Sequence, residues 1–145
     1  MGNMLNSAST YRRTQVETAP AGQLVVLLYD GAVKFLDKAL DHFGSKKLDV
    51  INENILKTQN ILTELMLSLD LDGPSDPVFT RRLYGLYDYM HRRLVEANLK
   101  KDPEPVREVR RYLDDLRGAW SQASAKASVP DYPGDVPRGG VNLAS

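Results

Sequence analysis

The chain contains no cysteine, which excludes disulfide staples and thiolate metal sites and fits a reducing compartment. It has only two histidines, His42 and His91, far apart in sequence and on different predicted helices. Net charge is missing too. Nineteen Lys and Arg cancel nineteen Asp and Glu, so no global field recruits nucleic acid or an anionic membrane. A partner is therefore expected to be held by apolar contact. No run approaches the ~20 consecutive apolar residues of a bilayer span. Residues 1–10 have no apolar stretch before a small-residue cleavage site, so no secretory signal is expected. Gly-rich phosphate loops, nucleophile elbows and zincin motifs are absent. What remains is a cytoplasmic, non-enzymatic single domain with no cofactor, in a chain of 145 residues.

Four amphipathic segments fill most of that length. Thr18-Ala19-Pro20 is a helix start, with a threonine oxygen available as a cap and proline tolerated in the first turn. The helix it opens runs to about Phe43, and Gly44-Ser45 offer its C-terminal cap. A second segment, Leu48 to Leu69, places Leu48, Ile51, Ile55, Leu62, Leu65, Met66 and Leu69 on one face, with Leu56 and Leu67 on a separate narrow line. Asp76-Pro77 and Asp102-Pro103 repeat one start signal, a capping carboxylate before proline at the first helical position. Phe79, Leu83, Leu86, Tyr87, Met90, Leu94 and Ala97 form the third stripe, flanked by Tyr84, Val95 and Leu99. Val106, Val109, Leu113, Leu116, Trp120 and Ala123 form the fourth. Short connections favour antiparallel neighbours, so the pattern predicts an all-α, up-down-up-down four-helix bundle over residues 18–127. Residues 1–17 read as a flexible arm, and the proline- and glycine-rich stretch 128–145 as a disordered tail.

The first helix carries more apolar surface than a bundle seam needs. At 100° per residue, its apolar positions from Leu24 to Leu40 spread over roughly 200°, against the ordinary core stripe of about 100°. Such a face needs two internal neighbours, or one neighbour and one external guest. The second option puts a partner surface on Val26, Leu27 and Val33, assisted by Leu56 and Leu67 and by Tyr11 and Val16 of the arm, which is expected to fold back over part of the groove. Self-association through the same surface, as a homodimer, is the alternative.

Enzymatic readings find little support. A di-iron bundle needs two Glu-x-x-His pairs, and only Asp88-x-x-His91 comes near. Asp30 falls on the polar face of its helix. Gly31 beside it sits inside a strong helical pattern, where close approach by another backbone would explain it. Between Arg81 and Arg117, ten basic residues interleave with seven acidic ones, the pattern of a solvated, salt-bridged face.

Three stretches together resemble the FliS family of flagellar secretion chaperones. One is Tyr11, Val16, Thr18 and Ala19, followed by Leu24-Val25-Val26-Leu27-Leu28-Tyr29-Asp30-Gly31-Ala32. The second is Tyr87-Asp88-Tyr89-Met90-His91-Arg92-Arg93-Leu94, continuing to Ala97-Asn98-Leu99. The third runs from Leu113 through Leu116 to Trp120. One departure touches the helix start: the family commonly has proline three residues before the leucine matching Leu24, whereas Pro20 lies four before it. The resemblance implies an antiparallel bundle that binds the disordered C-terminal segment of flagellin, prevents its premature polymerisation and presents it to the flagellar export gate. From the balanced charge and the lack of a long apolar run, no nucleic-acid partner and no membrane insertion are expected.

Overall fold

The computed structural model describes residues 21–73 and 76–127. Among them are four helices and no strand: α1, Ala21–Phe43; α2, Leu48–Ser68; α3, Pro77–Lys100; and α4, Pro103–Ala127. The predicted all-α bundle is what forms. The segments read as an arm (1–17) and a tail (128–145), and the start signal Thr18-Ala19-Pro20, lie outside the described residues.

Local chemistry sets the helix ends. Asp76 caps α3, its Oδ1 accepting from the backbone N–H of Val78 at 3.0 Å and of Phe79 at 3.5 Å. At the start of α4, Asp102 Oδ1 accepts from the N–H of Glu104 at 3.0 Å. These carboxylates satisfy amides that have no partner within the helix. The turn after α1 differs from expectation: the left-handed residue is Lys46, with φ 56°, rather than Gly44. Its N–H donates to the carbonyl of Phe43 at 3.3 Å. Lys101, with φ 50°, plays the same part after α3.

Side-chain pairings fix the arrangement. Asp37 meets Arg110 and Asp30 meets Arg117, so α1 and α4 run antiparallel in a constant register. Arg93 meets Glu108 and Tyr89 meets the same carboxylate, which aligns α3 with α4 likewise. Asn98 bonds Asn52, which joins the end of α3 to the start of α2. Helix α1 packs against α2 and α4, and α3 closes the ring on the far side.

Core residues come from all four helices. Tyr29, Ala32, Leu36 and Ala39 of α1, Ile55 and Leu62 of α2, Met90 and Leu94 of α3, and Val106, Val109 and Leu113 of α4 are fully buried. The centre of the wide α1 arc is thus consumed internally, between two neighbours, while Leu24, Val26, Phe35 and Leu40 at its margins are half-buried against the core. An aromatic cluster fills the end of the bundle where α1 begins. There the Tyr29 and Tyr87 hydroxyls are hydrogen-bonded at 2.5 Å in the core. Trp120 sits edge-on to Tyr29 at 5.8 Å between ring centres, and Phe79 stacks on Trp120 at 6.2 Å.

Candidate partner-binding surface

With the core assigned, the large apolar side chains left in solvent among the described residues are on α2, α3 and the loop between them. On α3, Tyr84, Val95 and Leu99 fall within about 60° of one another at 100° per residue, and Leu99 is 82 % exposed. On α2, Leu56 and Leu67 lie about 20° apart. Leu67 is 80 % exposed and Leu56 half-buried. Leu48, read from sequence as core, is 52 % exposed, because it occupies the first position of α2 and projects past the bundle end.

These two lines belong to one face. Asn98 Nδ2 donates to Asn52 Oδ1 at 2.6 Å, and Lys101 Nζ donates to Asn98 Oδ1, so a polar clasp marks where α2 and α3 touch on the solvent side. Moving outward around α2 from Asn52 leads to Leu56 and Leu67. Moving outward around α3 from Asn98 leads to Val95 and Leu99. The surface holds one apolar patch near the clasp, formed by Leu48, Val95 and Leu99, and another near Leu67 and Tyr84. Eleven residues separate Tyr84 from Val95, roughly 16 Å of helix. That spacing is three turns, longer than the i to i+7 span over which a docked amphipathic helix sets its anchors.

The residues singled out from sequence divide sharply. Val33 is 2 % exposed and lies in the core, so the expectation that it forms an accessible surface is corrected. Val26 is half-buried and packs against the core. Leu27 is half-buried on the polar side of α1. Leu56 and Leu67 do lie on the exposed face. Tyr11 and Val16 lie outside the described residues. Tyr84, Val95 and Leu99 were legible as a flank of the third stripe but not as a surface. Their angular offset from the core line was the available signal.

The suspected chemistry dissolves into structure. Asp30 binds Lys34 at 3.0 Å and Arg117 at 2.8 Å. The Lys34 hydrogen bond, helped by Arg117, holds its carboxyl below the ordinary carboxylate range, so it is an ion-pair partner rather than a base. No backbone crowds Gly31; the nearest atom to an added Cβ would be Ile61 Cδ1 at 3.8 Å, ordinary contact. Glu108 accepts from Arg93 Nε at 2.7 Å and from the Tyr89 hydroxyl at 2.8 Å, and these bonds keep it ionised. Among the described residues no group of three His, Asp or Glu could hold a metal ion. No described helix is long and apolar enough to cross a membrane.

A closed antiparallel bundle with ion-paired seams and an exposed apolar line along α2 and α3 defines an all-α, four-helix protein. Sequence comparison gives the family. The model for "Flagellar protein FliS" matches residues 4–127, and the chain belongs to the FliS family. It is similar to the flagellar secretion chaperone FliS of Bacillus subtilis (strain 168), with 37% identity over 118 residues covering 81% of this chain and 86% of that one. It is similar also to the Salmonella typhimurium protein of that name, 34% identical over 125 residues (83% and 92%). The Escherichia coli K12 protein is 32% identical over 118 residues (81% and 86%). Family membership supports a chaperone role in flagellar export, and these relatives are named as chaperones, a non-enzymatic role.

Proposed function

We propose that this chain is a cytosolic export chaperone for flagellin, taking the disordered C-terminal segment of its guest as helices on the α2–α3 outer face, masking it from polymerisation and presenting it to the export gate. The observation that supports the location is that Leu67, Tyr84, Val95 and Leu99 all stand exposed on this side of the bundle. Ordering a disordered guest costs about 2–5 kcal/mol. At about 25 cal/mol per Å², roughly 80–200 Å² of buried apolar surface offsets that cost, about what one or two large side chains provide. Association itself costs at least as much again, so both patches are needed for useful affinity.

Capture of full-length flagellin, compared with flagellin lacking its C-terminal segment, tests the guest; only the full-length form should co-purify. Leu67→Asp and Leu99→Asp test the surface. Each is expected to leave stability within about 0.5 kcal/mol while weakening capture of a C-terminal flagellin peptide roughly tenfold, about 1.4 kcal/mol. Unchanged affinity in both variants would reject the location. A stable homodimer indifferent to the peptide would favour self-association instead.

A further inference from the structure

The α2–α3 outer face carries a charge as well as leucines. Eighteen residues separate Arg81 from Leu99, about five full turns of helix, so the two share one line along α3. Tyr84 stands three residues beyond Arg81, about 4.5 Å along the axis and about 60° round toward α2. Arg81 therefore borders the patch that Leu67 and Tyr84 form. Arg82 faces elsewhere: it falls between the phases of Tyr89 and Arg93, the two residues that reach Glu108 of α4.

Both arginines are exposed, and among the described residues neither joins an ion pair or a hydrogen bond, whereas Arg92, Arg93, Arg107, Arg110 and Arg117 are all paired. The acids closest to Arg81 in sequence are otherwise engaged. On the same face Asp88 is taken by Arg92 at 3.1 Å. In the loop before α3, Asp70 Oδ1 accepts from the backbone N–H of Asp72 at 3.3 Å. The face thus sets one uncompensated cation at the edge of an apolar patch. A basic guest would be repelled there and a neutral one would gain nothing, while a guest carboxylate would meet a planar guanidinium whose donors match its own geometry.

We propose that Arg81 is a specificity residue of the α2–α3 face and selects an acidic amphipathic helix, one that carries Asp or Glu three or four residues from the apolar side chain seated on Leu67 and Tyr84. The inference rests on the reading of this face as the guest site and adds the charge of what it accepts.

The C-terminal flagellin peptide is the probe, titrated against the full chain at low salt. Arg81→Glu should weaken binding roughly fivefold, the upper worth of one exposed ion pair. Arg82→Glu, the same charge change one residue away, should leave affinity unchanged, and Arg81→Lys, which keeps the charge, should bind within about twofold of the wild type. Added salt should narrow the gap between wild type and Arg81→Glu. A peptide with its Asp and Glu replaced by Asn and Gln should bind both alike, which closes a double-mutant cycle. An unchanged far-ultraviolet circular dichroism spectrum verifies the fold of each variant. Binding that Leu67→Asp weakens but Arg81→Glu leaves intact overturns the charge assignment and keeps the face. Equal losses in Arg81→Glu and Arg82→Glu overturn it too, by making the effect one of net charge. Binding indifferent to Leu67→Asp, Leu99→Asp and Arg81→Glu alike removes the face itself.

Discussion

The α1–α4 seam and the α2–α3 outer face are built from similar helices yet solve opposite problems. Along α1–α4, apolar residues are buried and the rim is tied by Asp37–Arg110 at 2.5 Å and Asp30–Arg117 at 2.8 Å. Along α2–α3, the solvent-side tie is a neutral amide pair, and leucines stand in water beyond it. Apolar exposure offers no stability to the free chain. On the proposed reading, the line of exposed leucines on this face of a bundle in the FliS family is what a guest would cover, while the ion-paired seam serves the fold. Substitutions in the two regions should therefore separate stability from capture.

The largest effect is expected at the seam. Leu36→Ala removes a fully buried side chain of α1 and should cost about 2–5 kcal/mol in chemical denaturation. Leu99→Ala, at an 82 % exposed position, should stay within about 0.5 kcal/mol and alter only guest capture. If Leu99→Ala proves as damaging as Leu36→Ala, the outer face is part of the core and the contrast collapses.

Next is the tyrosine pair that ties α1 to α3 across the interior. Tyr87→Phe or Tyr29→Phe leaves one buried hydroxyl without its partner and should cost about 1–3 kcal/mol, whereas the double substitution should be nearly neutral. Burial pushes the Tyr87 hydroxyl up to about 12, and burial first, then Tyr87, raises Tyr29 further. The folded chain thus holds these protons more tightly than the unfolded one. Stability should be unaffected by the pair up to pH about 10, the ordinary tyrosine value, and fall as pH rises above it. Denaturation midpoints of the wild type and the double variant should agree near neutral pH and separate in that alkaline range, the wild type falling more steeply because the double variant has no such protons to lose.

Glycine within α3 and α4 gives a smaller effect of opposite sign. Gly85 and Gly118 stand mid-helix, and an added Cβ at either meets nothing within 4 Å. Alanine at each should stabilise the bundle by up to about 1 kcal/mol, read as a raised thermal midpoint. Gly118→Ala, on α4, should leave guest capture unchanged. Reduced capture there would extend the binding face beyond α2–α3.

What could be read before the fold was known follows from the range over which each signal acts. Asp76-Pro77 and Asp102-Pro103 are local chemistry, and both carboxylates cap as expected. The breadth of α1's apolar arc was also legible, but its use was not. A 200° arc is the same pattern whether its second neighbour is α4 or another chain, and only tertiary packing places Val33 in the core. Leu48 misled for a related reason, since helical phase cannot tell that a residue stands at the bundle's end. Tyr84, Val95 and Leu99 were visible as residues off the core line. Their significance depended on α2 continuing the same apolar surface around the Asn52–Asn98 clasp, a juxtaposition that periodicity within one helix does not contain.

The smallest expected effect is electrostatic and distinguishes the seams by acid. Asp30 is held below the ordinary carboxylate range by its hydrogen bond to Lys34 and by Arg117, Glu108 by Arg93 and then Tyr89. A depressed folded value means the unfolded chain binds protons first. The stabilisation is therefore fully present above pH about 4, the ordinary carboxylate value, and is lost as pH falls through the folded value. These pairs are partly exposed, so each is worth about 0.2–1 kcal/mol and weakens with salt. Asp30→Asn and Glu108→Gln should lower stability by that amount at neutral pH and flatten the acid limb of a denaturation-midpoint profile. Asn52→Ala should leave that limb's shape unchanged, since an amide pair carries no proton to lose. An acid limb that the two carboxylate substitutions leave intact would move the charge-dependent stability away from these seams and remove the electrostatic half of the contrast.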